Sequence, residues 1–284
     1  MVSSLKSVNK GKNLTKLEIA KELGISRSSL YYQHKKPIED WEVKTQIESV
    51  LTNHPAYGHK RIAIELRLNR KRILRVMKKF NIKPYKRRAK KPWKKDDLGK
   101  PETEYLNLIK EIDPKDLMQN QIWVSDFTYL KYKGRFLYLA TIMDLWDREI
   151  VGVNISRFHN KELVLGAFED ALSKFNRPKI LHSDQGTEYD SEQYLSLVEK
   201  LGIKISMSAK GSPWQNGHQE SFYSNFKLEL GQTNRFETLG ELIEELYKQL
   251  AYYNNKRMHS KLKMSPVQFR LKQKSLTEMK DTLS

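Results

Sequence analysis

Three acidic residues of this 284-residue chain, Asp126, Asp184 and Glu220, have types and settings suited to chemistry. Asp126 lies in an apolar run, flanked by Trp123, Val124, Phe127 and Tyr129, where an acid is costly unless something binds it. Asp184 closes the segment Ile-Leu-His-Ser-Asp, with Gly186 just beyond it. Sites in open α/β sheets form where strands end, so these two acids converge if the first and fourth strands are neighbours. Glu220 falls in a helical run, on a face shared with Lys227 two turns later. Singly, Asp184 also reads as a turn residue and Glu220 as a solvated helix residue, whereas Asp126 is hardest to dismiss. Together the three suit Mg²⁺, with Mn²⁺ as a substitute, because hard cations take oxygen ligands and keep waters or substrate oxygens besides. Two such ions about 3.5–4 Å apart serve in-line phosphoryl displacement, one at the attacking oxygen and one at the leaving oxygen. Such a site needs no histidine base, and it would serve both nicking by water and joining by a 3′-hydroxyl.

The elements that must position these acids are legible after about residue 118. Residues 121–131, 135–144 and 150–157 are β-rich runs joined by short turns, one of them at Lys133-Gly134. Residues 160–175 read as a helix, 179–182 as a short strand, 191–201 as a helix and 203–207 as a strand. Three antiparallel strands followed by α, β, α, β is the order of a ribonuclease-H-like α/β domain, assigned to residues 118–235. Helices over 215–230 and 239–253 would pack on it, with 236–284 forming a C-terminal helical region.

Upstream the texture differs. Residues 1–100 carry 27 Lys+Arg against 9 Asp+Glu, whereas residues 101–284 carry 25 of each. Confining the whole excess to one region favours a polyanion partner, and without a strongly amphipathic Trp/Phe/Leu helix nucleic acid is preferred over acidic lipid. Within 1–35, residues 14–33 read as a helix-turn-helix: Thr15 and Glu18 make a capping box, Leu17, Ala20 and Leu23 a stripe, Gly24 the turn. Ile25 packs inward and Ser26 caps the second helix, so Arg27, Ser28 and Tyr31 would face the major groove. A second helical unit spans 36–82, where Arg70, Lys71, Arg72 and Arg75 line a face expected along DNA phosphates. A basic linker spans 83–117, with Lys86, Arg87 and Arg88 expected to track the DNA backbone. The absence of cysteine excludes disulfides and thiolate zinc sites, and no apolar run is long enough to span a bilayer. A cytoplasmic protein is expected.

The motifs resemble those of bacterial insertion-sequence transposases of the "IS-three" group, whose catalytic half is similar to retroviral integrase. Trp123, Asp126, Phe127, Thr128 and Tyr129 match the group's first motif; His182, Ser183, Asp184, Gly186, Glu188 and Tyr189 match its second. The 35 residues between Asp184 and Glu220 are its characteristic interval. Lys227 falls where the group has a basic residue that contacts DNA near the reacting end. Tyr253, Asn254, Arg257, His259, Leu262, Ser265 and Pro266 match its tail pattern, and Tyr57 to Ile62 looks like the opening of its second helical unit. One departure is Gln215-Asn216-Gly217, where the group usually reads Asp-Asn-Ala. The resemblance implies a multidomain chain, all-α helix-turn-helix units followed by an integrase-like catalytic domain. It also implies metal-dependent cleavage and strand transfer, double-stranded DNA partners (terminal inverted repeats and target), and a homodimer or higher oligomer on DNA. Three rivals stand beside it: a DNA-binding regulator with a non-catalytic ribonuclease-H-like domain, a retroviral-type integrase, and a ribonuclease H.

Overall fold

A computed structural model describes residues 15–22, 24–31, 36–85, 105–110, 112–113, 115–208 and 216–281. Its centre is a five-stranded sheet in the order β3-β2-β1-β4-β5. The strands are β1 (Ile122–Tyr132), β2 (Arg135–Asp144), β3 (Ile150–Ser156), β4 (Ile180–Ser183) and β5 (Lys204–Met207). β1, β2 and β3 pair antiparallel, while β4 runs parallel to both β1 and β5. The β1–β2 hairpin turns on two residues, Lys133 and Gly134, both at positive φ, as a tight turn matched to strand twist requires.

Side chains alternate across the sheet and feed two cores. Trp123 packs with α5 (Lys161–Lys174) and α6 (Glu192–Lys200), through Leu163, Phe168, Tyr194 and Val198. Val124, one residue on, packs with α7 (Gly217–Leu230) and α8 (Leu239–Asn255), through Phe222, Phe226, Leu246 and Leu250. The fold is the ribonuclease-H-like class expected. Its boundaries are wider than 118–235. Leu117 is buried in the α7/α8 core with Ile109 and Ile112 against it, and the Leu108 amide donates to Ser206 Oγ at 2.9 Å. The linker expected over 83–117 therefore ends before residue 105, because these apolar side chains are needed to cover the sheet. α8 likewise belongs to the core rather than to a separate C-terminal region. α9 (Pro266–Asp281) docks beside it, with Phe269 edge-on to Trp146 and Arg270 paired to Glu149.

The upstream elements are α1 (Lys16–Glu22), a 3₁₀ turn (Arg27–Tyr31), α2 (Lys36–Asn53), α3 (His59–Glu65) and α4 (Arg70–Lys79). The capping box forms: the Thr15 amide donates to Glu18 Oε2 at 2.7 Å, and the Glu18 amide to Thr15 Oγ1 at 3.4 Å. The recognition helix expected after Gly24 is instead the five-residue 3₁₀ turn, and Ile25, expected inside, is 43% exposed. Hydroxyls explain the short turn. Ser26 Oγ bonds the hydroxyls of Ser28 and Ser29 and accepts from the Ser29 amide, competing with an α-helical ladder. α2, α3 and α4 pack round Val43, Ile47, Tyr57, Ile62, Ile73 and Val76.

Candidate active site

β1 and β4 are adjacent and parallel, with Val124 opposite His182. Continuing that register by two residues brings Asp126 level with Asp184, at the end of β4. Their neighbourhood is set by hydrogen bonds. Asp126 Oδ1 accepts from the Phe127 amide at 2.8 Å, and Asp184 Oδ1 accepts from the Gly186 amide at 3.0 Å. Asp184 is thus a turn residue as well as a strand-end acid. A Cβ on Gly186 would stand 3.1 Å from Asp184 Oδ1 and 3.0 Å from Glu188 Oε2, so a larger residue here would push on the Asp184 carboxylate. Below it, His182 is buried between Ser206 Oγ (2.9 Å) and Ser208 Oγ (3.0 Å), which ties β4 to β5; burial holds its pKa down at about 4, so it is neutral.

Glu220 comes from the first turn of α7, and the helix is fixed to β1 by amide side chains. Gln219 Nε2 donates to the Val124 carbonyl (2.8 Å) and the Thr141 carbonyl (3.2 Å), and Asn216 Nδ2 to the Ser125 carbonyl (3.4 Å). One turn on, the Tyr223 hydroxyl donates to the Asp126 carbonyl at 2.7 Å. Of these three positioning residues, Gln219 and Tyr223 went unremarked in the sequence, and Asn216 was noted only within Gln215-Asn216-Gly217 at the helix entry. Their signal is the spacing 216, 219, 223, one helix face that is polar although it is buried.

Electrostatics tie the acids together. Burial first, then the charges of Asp184 and Glu220, push the Asp126 carboxyl up to about 8, against the opposing pull of the Phe127 amide and Lys227. Lys227 Nζ lies 2.5 Å from Thr128 Oγ1 and 5.0 Å from the centre of the Tyr129 ring, so this basic residue stands against β1 beside Asp126. Among the described residues no three His, Cys, Asp or Glu side chains are gathered closely enough to hold an ion as they stand. The donor set still fits a hard divalent cation: all-oxygen ligands, and an acid whose ionised form is disfavoured by burial and by two neighbouring carboxylates.

The other expected site residues lie far along the chain from this cluster. Arg27 and Ser28 are exposed on the 3₁₀ turn that Tyr31 closes, and Arg70 and Lys71 are exposed at the start of α4. Arg72 pairs with Glu39 at 3.6 Å. Arg75, expected on phosphates, instead forms two bonds to the buried Asp40 (2.5 and 2.8 Å), and Lys79 adds a third at 2.8 Å. Lys86, Arg87 and Arg88 lie outside the described residues.

A mixed sheet of this order, with acids level on its adjacent β1 and β4, defines a ribonuclease-H-like domain of the kind that polynucleotidyl transferases use. Two family models, both described as integrase core domain, match residues 116–213 and 201–266. The transposase for insertion sequence element IS904 of Lactococcus lactis subsp. lactis (strain IL1403) is 35% identical over 247 residues, 80% of this chain and 92% of its own. The putative transposase InsK for insertion sequence element IS150 of Escherichia coli (strain K12) is 29% identical over 265 residues, covering 89% of this chain and 92% of that protein. The transposase InsF for insertion sequence IS3A, also of Escherichia coli (strain K12), is 38% identical over 112 residues, 39% of each chain. Among solved structures, the HTLV-2 integrase catalytic core domain in complex with magnesium aligns with a TM-score of 0.42 and 20% identity, covering 54% of this chain and 97% of that one. The chain belongs to the insertion-sequence transposases of the IS-three family, and transposition is its function.

Proposed function

We propose that this transposase cuts and joins DNA at Asp126, Asp184 and Glu220, acting on the terminal inverted repeats of its element and then on target DNA. The observation that carries the reading is the state of Asp126: a half-buried acid pushed up to about 8 and facing two further acids. Divalent cations, Mg²⁺ or Mn²⁺ and two per site, would supply the charge that draws the three carboxylates together and activate the attacking oxygen. The chain's own part is orientation. β1 and β4 present two acids side by side, and Gln219, Asn216 and Tyr223 hold α7 so that Glu220 faces them. Lys227 beside Asp126 would hold a phosphate of the reacting end. Arg27, Ser28, Tyr31, Arg70, Lys71 and the basic residues 86–88 would hold the duplex, and two ends brought together need at least two protomers.

Asp126→Asn, Asp184→Asn and Glu220→Gln should each reduce Mg²⁺-dependent cleavage of the element's end by at least about a thousandfold, a loss in the range for removal of a group that acts only in the transition state. Duplex binding should persist. Near wild-type cleavage by any one variant would sink the assignment. Wild-type protein that binds ends but never cuts them would instead make the chain a regulator of transposition.

A further inference from the structure

The same domain carries a second surface that points to a ligand. Beyond Asp126 the β1–β2 hairpin continues outward, and its aromatic side chains are left uncovered. Tyr129 is 58% exposed, Phe136 48% and Phe158, just after β3, 70%. Phe136 stands edge-on to Tyr129 at 5.4 Å and lies 6.5 Å from Tyr138, so the rings form a ladder across the hairpin. Beside this ladder runs an open groove of about 600 Å³, lined by Lys133, Arg135, Phe136, Tyr138, Arg157 and Phe158 among others. Among the described residues, no acidic side chain lines it. Arg135 and Arg157 have no ion-pair partner among the described residues, and Lys133 spends its hydrogen bond on the Glu237 carbonyl at 2.7 Å, which leaves its charge uncompensated.

We infer that this groove binds single-stranded DNA, the bases stacking on Phe136, Tyr138 and Phe158 while Lys133, Arg135 and Arg157 hold the phosphates. Exposed rings interleaved with cations are what unpaired nucleotides require, since every base offers a π-face and every linkage a charge. Duplex DNA buries its base faces and would use only the cations. A second copy of the chain is disfavoured, because a two-fold contact centred here would press Arg135 and Arg157 against their own counterparts. The inference rests on the proposed function only for the source of the strand: cutting one strand at the carboxylates frees an end whose bases can peel from their partners, and Asp126 lies on β1, the strand that leads into the hairpin.

The test uses the full chain without divalent cation, so that no cutting occurs and the carboxylates play no part. Affinity for a labelled single-stranded oligonucleotide, and for its duplex, is measured by anisotropy across a salt series. The double variant Phe136→Ala/Phe158→Ala should lose at least about thirtyfold in single-strand affinity, with its salt slope and its duplex affinity unchanged. Arg135→Ala/Arg157→Ala should lower the single-strand slope by about 1.4, roughly 0.7 for each phosphate released. An oligonucleotide carrying a photoreactive uracil should crosslink wild-type protein at peptides containing Phe136 or Phe158. That map keeps the inference testable should a variant melt early. Unchanged single-strand affinity in both variants, equal losses on single strand and duplex, or crosslinks confined to residues 1–113 would each overturn it. So would a change in sedimentation mass with single-strand affinity intact, which would mark a contact between copies. Loss of cleavage in the carboxylate variants with normal single-strand binding bears only on the earlier reading, so the two fail separately.

Discussion

Asp126 is the residue where stability and chemistry pull apart. Its carboxyl titrates near 8 in the fold and near 4 in an unfolded chain, so the folded state disfavours the ionised form. The resulting cost to stability appears as pH rises above about 4 and is complete above about 8. Asp126→Asn keeps the shape and removes the charge, and should therefore raise the melting temperature of metal-free protein at pH above 8 by several degrees, about 2–4 °C for each kcal/mol relieved. At pH near 4 the gain should vanish. Adding Mg²⁺ should raise the melting temperature of wild type and do little for the variant. Differential scanning calorimetry across pH decides the matter, and a variant that melts lower than wild type at every pH would show that the acid is held by partners rather than strained.

At the scale of elements, α7 carries Glu220 on a backbone pinned by Gln219. Gln219→Leu fills the same space but leaves the Val124 and Thr141 carbonyls without their buried donor, which costs about 1–3 kcal/mol. The looser helix should cut the cleavage rate by roughly tenfold to a hundredfold, because small misplacements of a reacting group are expensive, while end affinity stays as it was. Single-turnover rates beside binding isotherms separate the two, and a full-rate variant would remove Gln219 from the positioning set. The catalytic half was legible in the sequence because its periodicities were clean. β2 spans Arg135–Asp144 as expected, and α5 and α6 differ from expectation by single residues at their ends. α2 was not resolved as a helix of its own. Its inward positions are 40, 43, 47 and 50, and the first holds Asp40 where an apolar residue would have marked the stripe, while Ile38 and Trp41 face out. The structure gives the reason: Asp40 anchors α4 through Arg75 and Lys79, which hold its carboxyl well below the usual range. A folded pKa below the unfolded one means that this anchor is fully present above about pH 4 and fades as pH falls further. Arg75→Ala should destabilise the α2–α4 unit at pH 7, modestly, because Arg75 is half-exposed and solvent screens its charge. The loss should shrink as the pH is lowered towards 2. Urea melts at both ends of that range test it, and an equal loss throughout would mean that the pair contributes packing rather than charge.

For the molecule as a whole, the uneven charge and the docking of its halves must be weighed together. The α2–α4 unit does not hang from a tether. The Met258 amide donates to the Tyr57 hydroxyl at 2.7 Å, His54 Nδ1 lies 2.5 Å from the Tyr252 hydroxyl, and Met258 packs against the unit's own core. Deleting the basic third would therefore bare an apolar seam as well as remove cations from the DNA, and point substitutions give the cleaner measurement. The structure sorts the cations of α4 by what they already hold: Arg72 and Arg75 are paired to acids of α2, while Arg70 and Lys71 are exposed and have no acidic partner among the described residues. Only charges without such partners release a full complement of counterions from a phosphate. Arg70→Ala/Lys71→Ala should lower the salt slope of duplex binding by about 1.8, near 0.9 for each phosphate no longer neutralised. Arg75→Ala should leave the slope unchanged at pH 7 while weakening the fold. A slope that drops with Arg75 and holds steady without Arg70 and Lys71 would mean that Asp40 gives up its partners to DNA, and that the duplex lies across α2 rather than along the start of α4.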